Sequence, residues 1–281
     1  MPASLIALHC RTSDRTPAAE RGVTELEGLV AKRLGRSPRT IGRFEGAREA
    51  SWGDDLSDCR GCLLEAGGQV EDALTGANVP ILLAAECSIG LTTLPAVHRH
   101  RPDAKILWLD AHGDFNTPGT TGSGYLGGMG LAGACGRWDA GLVPDSVDPR
   151  QVVLAGVRDL DPAEREMLEK GSVTVIGASP VETLVAVNNA LDGAPVYVHL
   201  DLDVIDPAQM PAQFPAPEGL AAEKLFDVLE AVAEGSEMVG AEVTAFAAPE
   251  EEGERQEAAA LVMHVLEPLL AAVPEGARVA D

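Results

Sequence analysis

The chain has 281 residues, 46% of them hydrophobic and 23% charged, a balance that excludes disorder as its main state. Its 21 basic and 44 acidic residues leave a net charge of −23, which excludes a footprint for DNA, RNA or an anionic membrane and suits a small cationic substrate or a metal ion. No apolar run approaches the roughly 20 residues that span a bilayer, and Met1 to Ser13 has neither a basic leading segment nor a small-residue cleavage site, so a cytoplasmic protein is expected.

Short β-branched and aliphatic runs alternate with longer segments of helical period. The first predicted strand is Ser4–Cys10, followed by a helix over Ala18–Leu34 and a strand over Thr40–Phe44. A polar helical stretch then carries Cys59 and Cys62. Five cysteines, an odd number in a chain this large, predict no disulfide framework, and this C-x-x-C pair reads as reduced, inert thiols. Strand Val79–Glu86 leads to a helix over Ile89–His100. Strand Lys105–His112 leads to an unpatterned stretch rich in Gly and Thr, Thr117–Gly130, and a loop that long in a compact domain is usually functional. Strands over Val152–Arg158, Val173–Gly177, Val196–Val204 and Met238–Phe246 alternate with helices over Pro162–Lys170, Val181–Leu191 and Leu220–Glu234. The acidic run Pro249–Glu254 reads as a solvated loop before a last helix, Glu254–Ala272. Several strands are apolar throughout, as strands covered on both faces are. The alternation predicts a parallel sheet with helices on both sides, in one three-layer α/β domain over residues 1–281.

In open parallel sheets, ligands gather at the carboxyl ends of the strands. Two such ends are polar at every second residue: Asp110-Ala-His112-Gly-Asp114 and His199-Leu-Asp201-Leu-Asp203-Val-Ile-Asp206-Pro207. In extended chain, alternate residues share a face. Asp110, His112 and Asp114 are therefore expected to converge, as are Asp201 and Asp203. Carboxylates crowded in this way repel one another unless a cation lies between them, and oxygen plus imidazole donors suit divalent metals. Five donors from two strands are too many for one ordinary site and suit two metals sharing bridging carboxylates. Asp206-Pro207 reads as a turn. His199 shares the face of Asp201 and Asp203, either behind the ligands or as a satisfied core histidine. His9, His98, His100 and His264 read as structural or solvated.

With Asp110-Ala-His-Gly-Asp114-Phe-Asn116-Thr and His199-Leu-Asp201-Leu-Asp203-Val-Ile-Asp206-Pro, the sequence resembles the ureohydrolase (arginase/agmatinase) superfamily from about Val79 to Ala247. The resemblance implies an eight-stranded parallel sheet flanked by helices. It also implies two Mn(II) ions per chain, bridged by a hydroxide that attacks a guanidino carbon, and a possible homo-oligomer. Carried over, Asp110 and Asp201 bridge the metals, Asp114 binds one of them and acts as the catalytic proton carrier, and His112 and Asp203 complete the other. The family's remaining ligand is a histidine in a G-G-D-H-S stretch. Here the stretch reads Ala84-Ala-Glu86-Cys87-Ser88, so the ligand is expected to be Cys87 as a thiolate.

Two further positions depart from the family pattern. The proton-shuttling histidine of the long loop falls at Gly127. The guanidinium-binding glutamate falls at Ala245, with Glu242 as the other candidate. Four positions that would hold the α-amino and α-carboxylate groups of an amino-acid substrate keep polar residues: Asn116, Ser123, Asp161 and Glu164. They favour an arginine-like amino acid over agmatine. N-hydroxylation withdraws electrons from a guanidine and lowers its basicity, so such a substrate needs a pinning carboxylate less. The expected reaction is therefore hydrolysis of Nω-hydroxy-L-arginine to hydroxyurea and L-ornithine, of the kind family members perform in antibiotic biosynthesis. The alternatives are an ordinary arginase or other amidinohydrolase, and a metal-binding relative that has lost catalysis.

Overall fold

The computed structural model describes residues 2–179 and 182–273. Eight strands form one sheet: β1 (Ala3–Leu8), β2 (Arg39–Ile41), β3 (Val79–Leu83), β4 (Lys105–Leu109), β5 (Val152–Val157), β6 (Thr174–Gly177), β7 (Val196–Asp201) and β8 (Met238–Thr244). Their order is β2-β1-β3-β8-β7-β4-β5-β6, and every neighbouring pair is parallel. The helices are α1 (Pro17–Leu34), α2 (Trp52–Thr75), α3 (Gly90–His100), α4 (Gly130–Ala134), α5 (Pro162–Lys170), α6 (Glu182–Leu191), α7 (Ala222–Gly235) and α8 (Glu252–Ala272).

The sheet is apolar on both faces, and alternate residues of one strand serve opposite cores. Leu107 and Leu109 of β4 join Val23 and Leu26 of α1, Val187 of α6, Leu229 of α7 and Val262 of α8. Ile106 and Trp108 of the same strand join Leu63 and Val70 of α2, Leu94 of α3, Leu131 of α4 and Leu168 of α5. This gives the predicted three layers. Among the described residues, no helix is long and apolar enough to cross a membrane.

The differences from the sequence reading have local causes. Seven predicted strands stop early, β1 at Leu8, β2 at Ile41, β3 at Leu83, β4 at Leu109, β5 at Val157, β7 at Asp201 and β8 at Thr244; at β4 and β7 the ladder ends where the alternating polar residues begin. α7 starts at Ala222 because Leu220 is still paired, with Ile205. The predicted start of α6 at Val181 lies outside the described residues. The acidic run is only partly loop. Glu251 caps α8, accepting the backbone N–H of Glu254, and Glu252 and Glu254 sit in the first turn, where carboxylates oppose the positive helix end.

The C-x-x-C reading is corrected. Cys62 is disulfide-bonded to Cys10, while Cys59 is a free, buried thiol. Cys10 follows the end of β1 and Cys62 lies on α2, which packs over that strand, so the Cα atoms come within 6.4 Å.

Candidate active site

The central strands β3, β8, β7 and β4 end side by side, and the sequence leaves polar residues at each end. Asp110 follows β4. Its Oδ2 accepts Trp108 Nε1–H (3.0 Å) and its Oδ1 accepts the backbone N–H of His112 (2.7 Å). Asp201 closes β7, and its Oδ1 accepts the backbone N–H of Asp203 (2.7 Å) across a 3-10 turn, Leu202–Val204. Asp203 Oδ1 accepts the N–H of Ala111 (3.1 Å), which ties the β7 end to the β4 end. His112 Nδ1 lies 3.0 Å from Asp203 Oδ2 and 3.4 Å from Asp110 Oδ1. Asp114 has φ +48°, in the left-handed region, and its Oδ2 is buried without a hydrogen-bond partner. These residues therefore meet through turns beyond the strand ends, and not by the extended-chain alternation expected from the sequence.

Cys87 opens a short 3-10 turn just past β3. Its thiol lies 2.9 Å from Asp201 Oδ2, 3.2 Å from Thr244 Oγ1 and 3.2 Å from His199 Nε2. Among the described residues, two groups of three donors have ligand atoms within 4.8 Å of one another: Cys87, Asp110 and His199, and Asp110, His112 and Asp203. Asp110 belongs to both, as a bridging ligand would. His199 is both buried and in contact with a proposed ligand. Its ring stacks on Trp108 at 3.4 Å, and Nδ1 lies 2.6 Å from Glu242 Oε1. Glu242 also accepts Tyr197 O–H (2.9 Å) and is fully buried, so it stays behind the sheet end, whereas Ala245 lines the cavity.

The electrostatics of the cluster call for a cation. Burial, and then the charges of Asp110 or Asp203, hold the Asp110, Asp114 and Asp201 carboxyls above the usual range. Burial and Asp201 likewise push the Cys87 thiol up. Burial disfavours the His112 imidazolium, yet Asp110 and Asp203 draw its pKa up to about 12. Burial also works against the Asp203 carboxylate, but His112 holds it below the usual range. Crowded carboxylates, an imidazole and a thiol, with an orphaned buried oxygen on Asp114, fit a divalent metal centre.

The cavity in front of these groups has a volume of ≈ 390 Å³, within the ~300–1,000 Å³ of small-molecule sites. The amino-acid-binding candidates Asn116, Ser123, Asp161 and Glu164 all line it. Asn116 Nδ2 donates to Asp161 Oδ2 (3.0 Å). Glu164 caps α5, its carboxylate accepting the N–H groups of Phe115 (2.7 Å) and Asp161 (3.3 Å), while burial raises its pKa to about 7. Gly127 lines the cavity too. A Cβ there would lie 2.5 Å from Cε1 of Tyr125, so the Tyr125 ring holds the space a side chain at 127 would need.

Three cavity groups were not singled out in the sequence: Glu86 beside Cys87, Tyr125 in the long loop expected to be functional, and Gln213, which has no local signal. Glu86 accepts the Tyr125 hydroxyl and Gln213 Nε2–H (3.2 Å). The expected bystanders stay away. His9, His100 and His264 pair with Glu27, Glu71 and Glu223, and Asp206 forms a turn by accepting the N–H groups of Ala208 and Gly219.

Residues 43–271 match the Arginase family. The chain is 35% identical over 264 residues to the N(omega)-hydroxy-L-arginine amidinohydrolase of Streptomyces lavendulae, covering 94% of this chain and 96% of that protein. It is 33% identical over 189 residues to the arginase of Bacillus caldovelox, covering 62% of each. Its fold is similar to that of Entamoeba histolytica arginase crystallised with L-ornithine, with a TM-score of 0.84 at 21% identity over 96% of this chain and 97% of that one. The chain belongs to the arginase family and is a hydrolase acting on amidino groups.

Proposed function

We propose that the protein hydrolyses Nω-hydroxy-L-arginine to hydroxyurea and L-ornithine with two Mn(II) ions per chain, in a single catalytic domain, and that the hydroxyurea feeds an antibiotic biosynthesis. The observation that carries this reading is the composition of one cavity. Its lining includes Gly127 and Ala245, where the family pattern has a histidine and a glutamate, and keeps Asn116, Ser123, Asp161 and Glu164. Near-full-length similarity to a hydroxyarginine amidinohydrolase supports the same substrate.

The metals would be held by Cys87, Asp110, His112, Asp114, Asp201 and Asp203, with Asp110 and Asp201 between them. When bound, they would lower the pKa of water from 15.7 to about 7 and so supply a nucleophile at neutral pH. Asp114, whose Oδ2 has no other partner, takes the proton of the attacking water and passes one to the departing ornithine nitrogen. Asn116, Ser123 and Asp161 orient the amino-acid end. A protonated guanidinium would find no anion at residue 245, whereas a less basic hydroxyguanidine does not need one.

The test is a product assay on manganese-loaded protein with each substrate. Hydroxyurea and ornithine are expected from Nω-hydroxy-L-arginine, with kcat/KM exceeding that for L-arginine by orders of magnitude. Comparable release of urea from L-arginine would leave an ordinary arginase, and turnover of neither a non-catalytic relative.

A further inference from the structure

We propose that Arg158 is a positioning residue: it pins the turn bearing Asp203 to the loop bearing Gln213 and Phe214, and so holds one wall of the cavity in register with the donor cluster. The inference rests on the reading of this cavity as the substrate site, and not on which guanidino compound is cleaved there. Arg158 follows β5 and does not itself line the cavity. Its backbone N–H donates to Ala111 O (2.9 Å), between Asp110 and His112. Its guanidinium reaches two further stretches of chain. Nη2 donates to Asp203 O (2.8 Å) and Nη1 to Val204 O (3.2 Å), in the turn just past β7. Nε donates to Pro217 O (3.0 Å), and Nε and Nη2 both donate to Ala216 O (3.1 and 2.8 Å). Asp203 is thus held at its carbonyl by Arg158 and at Oδ1 by the N–H of Ala111, with Oδ2 left beside His112.

Residues 206–219 form a closed loop. At its neck Ile205 pairs with Leu220, the N–H of Asp206 donates to Leu220 O (2.9 Å) and the N–H of Leu220 donates to Val204 O (3.1 Å). A loop of this kind has no ladder of its own, so its inward carbonyls need donors from elsewhere. Arg158 supplies them at Ala216 and Pro217. The same loop brings Gln213, Phe214 and Pro215 to the cavity. The Phe214 ring packs on Tyr125 with centroids 4.8 Å apart and meets His112 edge to face at 6.5 Å. Two glycines make room for the pin. Gly156 has φ +92°, and a Cβ there would lie 2.3 Å from Val204 Cγ2; a Cβ at Gly219 would lie 2.7 Å from Arg158 Nη2. A planar guanidinium with five donors can bridge both stretches at once, whereas a lysine has three donors on a single atom.

The test compares wild type with Arg158→Met, Arg158→Lys and Leu154→Ala. The last is a core truncation on β5, in the core on the opposite face of the sheet from Val204. Three quantities are measured on each full-length protein: hydrogen exchange of residues 205–220 by mass spectrometry, the manganese concentration that half-fills the sites, and kcat and KM at saturating manganese on the substrate the wild type cleaves. Freed carbonyls and a loosened neck expose backbone hydrogen bonds to local opening. Arg158→Met is expected to speed exchange in 205–220 and to raise both the half-filling manganese concentration and KM, each by roughly 10-fold, with a smaller fall in kcat. Arg158→Lys is expected to recover part of each change, and it carries the comparison if Arg158→Met does not fold. Leu154→Ala is expected to lower the thermal midpoint while leaving manganese affinity and KM near wild type. Arg158 variants that match wild type in all three quantities, or that change them no more than Leu154→Ala does, would overturn the proposal. Wild type that cleaves neither hydroxyarginine nor arginine would refute the catalytic reading alone, and the exchange and manganese measurements would still decide this inference.

Discussion

The four central strands end in two unlike pairs. β4 and β7 carry a dense donor set, Asp110, His112 and Asp114 on one and Asp201 and Asp203 on the other, cross-linked by the Asp203–Ala111 and His112–Asp203 contacts. β3 and β8 carry Glu86, Cys87 and Ala245, where the sequence departs from its family's pattern. On the proposed reading the first pair would hold cations, because its charges are costly without them. The second pair presents the Cys87 thiol, the Glu86 carboxylate that accepts the Tyr125 hydroxyl, and the methyl group of Ala245. The charge crowding is therefore concentrated at the β4 and β7 ends, and the departures from the family pattern at the β3 and β8 ends.

The largest effect should come from the first pair. Asp110 belongs to both donor groups, so Asp110→Asn is expected to remove both metals and reduce activity to background; metal content by elemental analysis checks this. The next tests the second pair. Gly127→His restores the residue type of the family pattern but would drive a Cβ into Tyr125. It is expected to lower kcat/KM for hydroxyarginine by about 10²-fold through misplaced groups, without creating an efficient arginase. A gain in arginine turnover to the level of hydroxyarginine would show that the loop histidine alone separates the two activities.

A smaller effect is expected at Cys87. Manganese prefers oxygen and nitrogen donors to sulfur. The metal beside Cys87 should therefore leave first on dialysis, and Cys87→His should retain it longer; equal retention of both metals in both proteins would contradict this. The smallest effect concerns the amino-acid end of the cavity. Burial raises the Glu164 pKa from 4.5 to about 7 in the folded protein. Between those values the native state holds a proton that the unfolded chain has lost, so this group lowers stability as pH rises through that window. Denaturant titrations of metal-free protein at several pH values should show this slope in wild type and a shallower one in Glu164→Gln.

The donor cluster beyond β4 and β7 was legible in the sequence because its residues are local. Asp110, His112 and Asp114 lie within five residues, and few other arrangements explain so many donors so close together. The same spacing misled in one respect, since alternating polar residues imitate a strand and the predicted strands ran past their true ends. The contacts among Glu86, Tyr125 and Gln213 were illegible because they are distant in sequence. Tyr125 meets Glu86 from 39 residues away and Gln213 meets it from 127. Nothing local marks Gln213, which lies in irregular chain between β7 and α7. The Cys10–Cys62 bond was missed for the same reason, its partners being 52 residues apart on a strand end and a helix.

The most direct test of the account is an anomalous-scattering map from crystals of the protein grown with excess manganese. The account predicts two peaks roughly 3.5–4 Å apart beyond the ends of β3, β4 and β7. One should lie against Cys87 and the other against His112, with Asp110 and Asp201 between them. A single peak, or two peaks with Cys87 or Asp110 turned away from both, would contradict it.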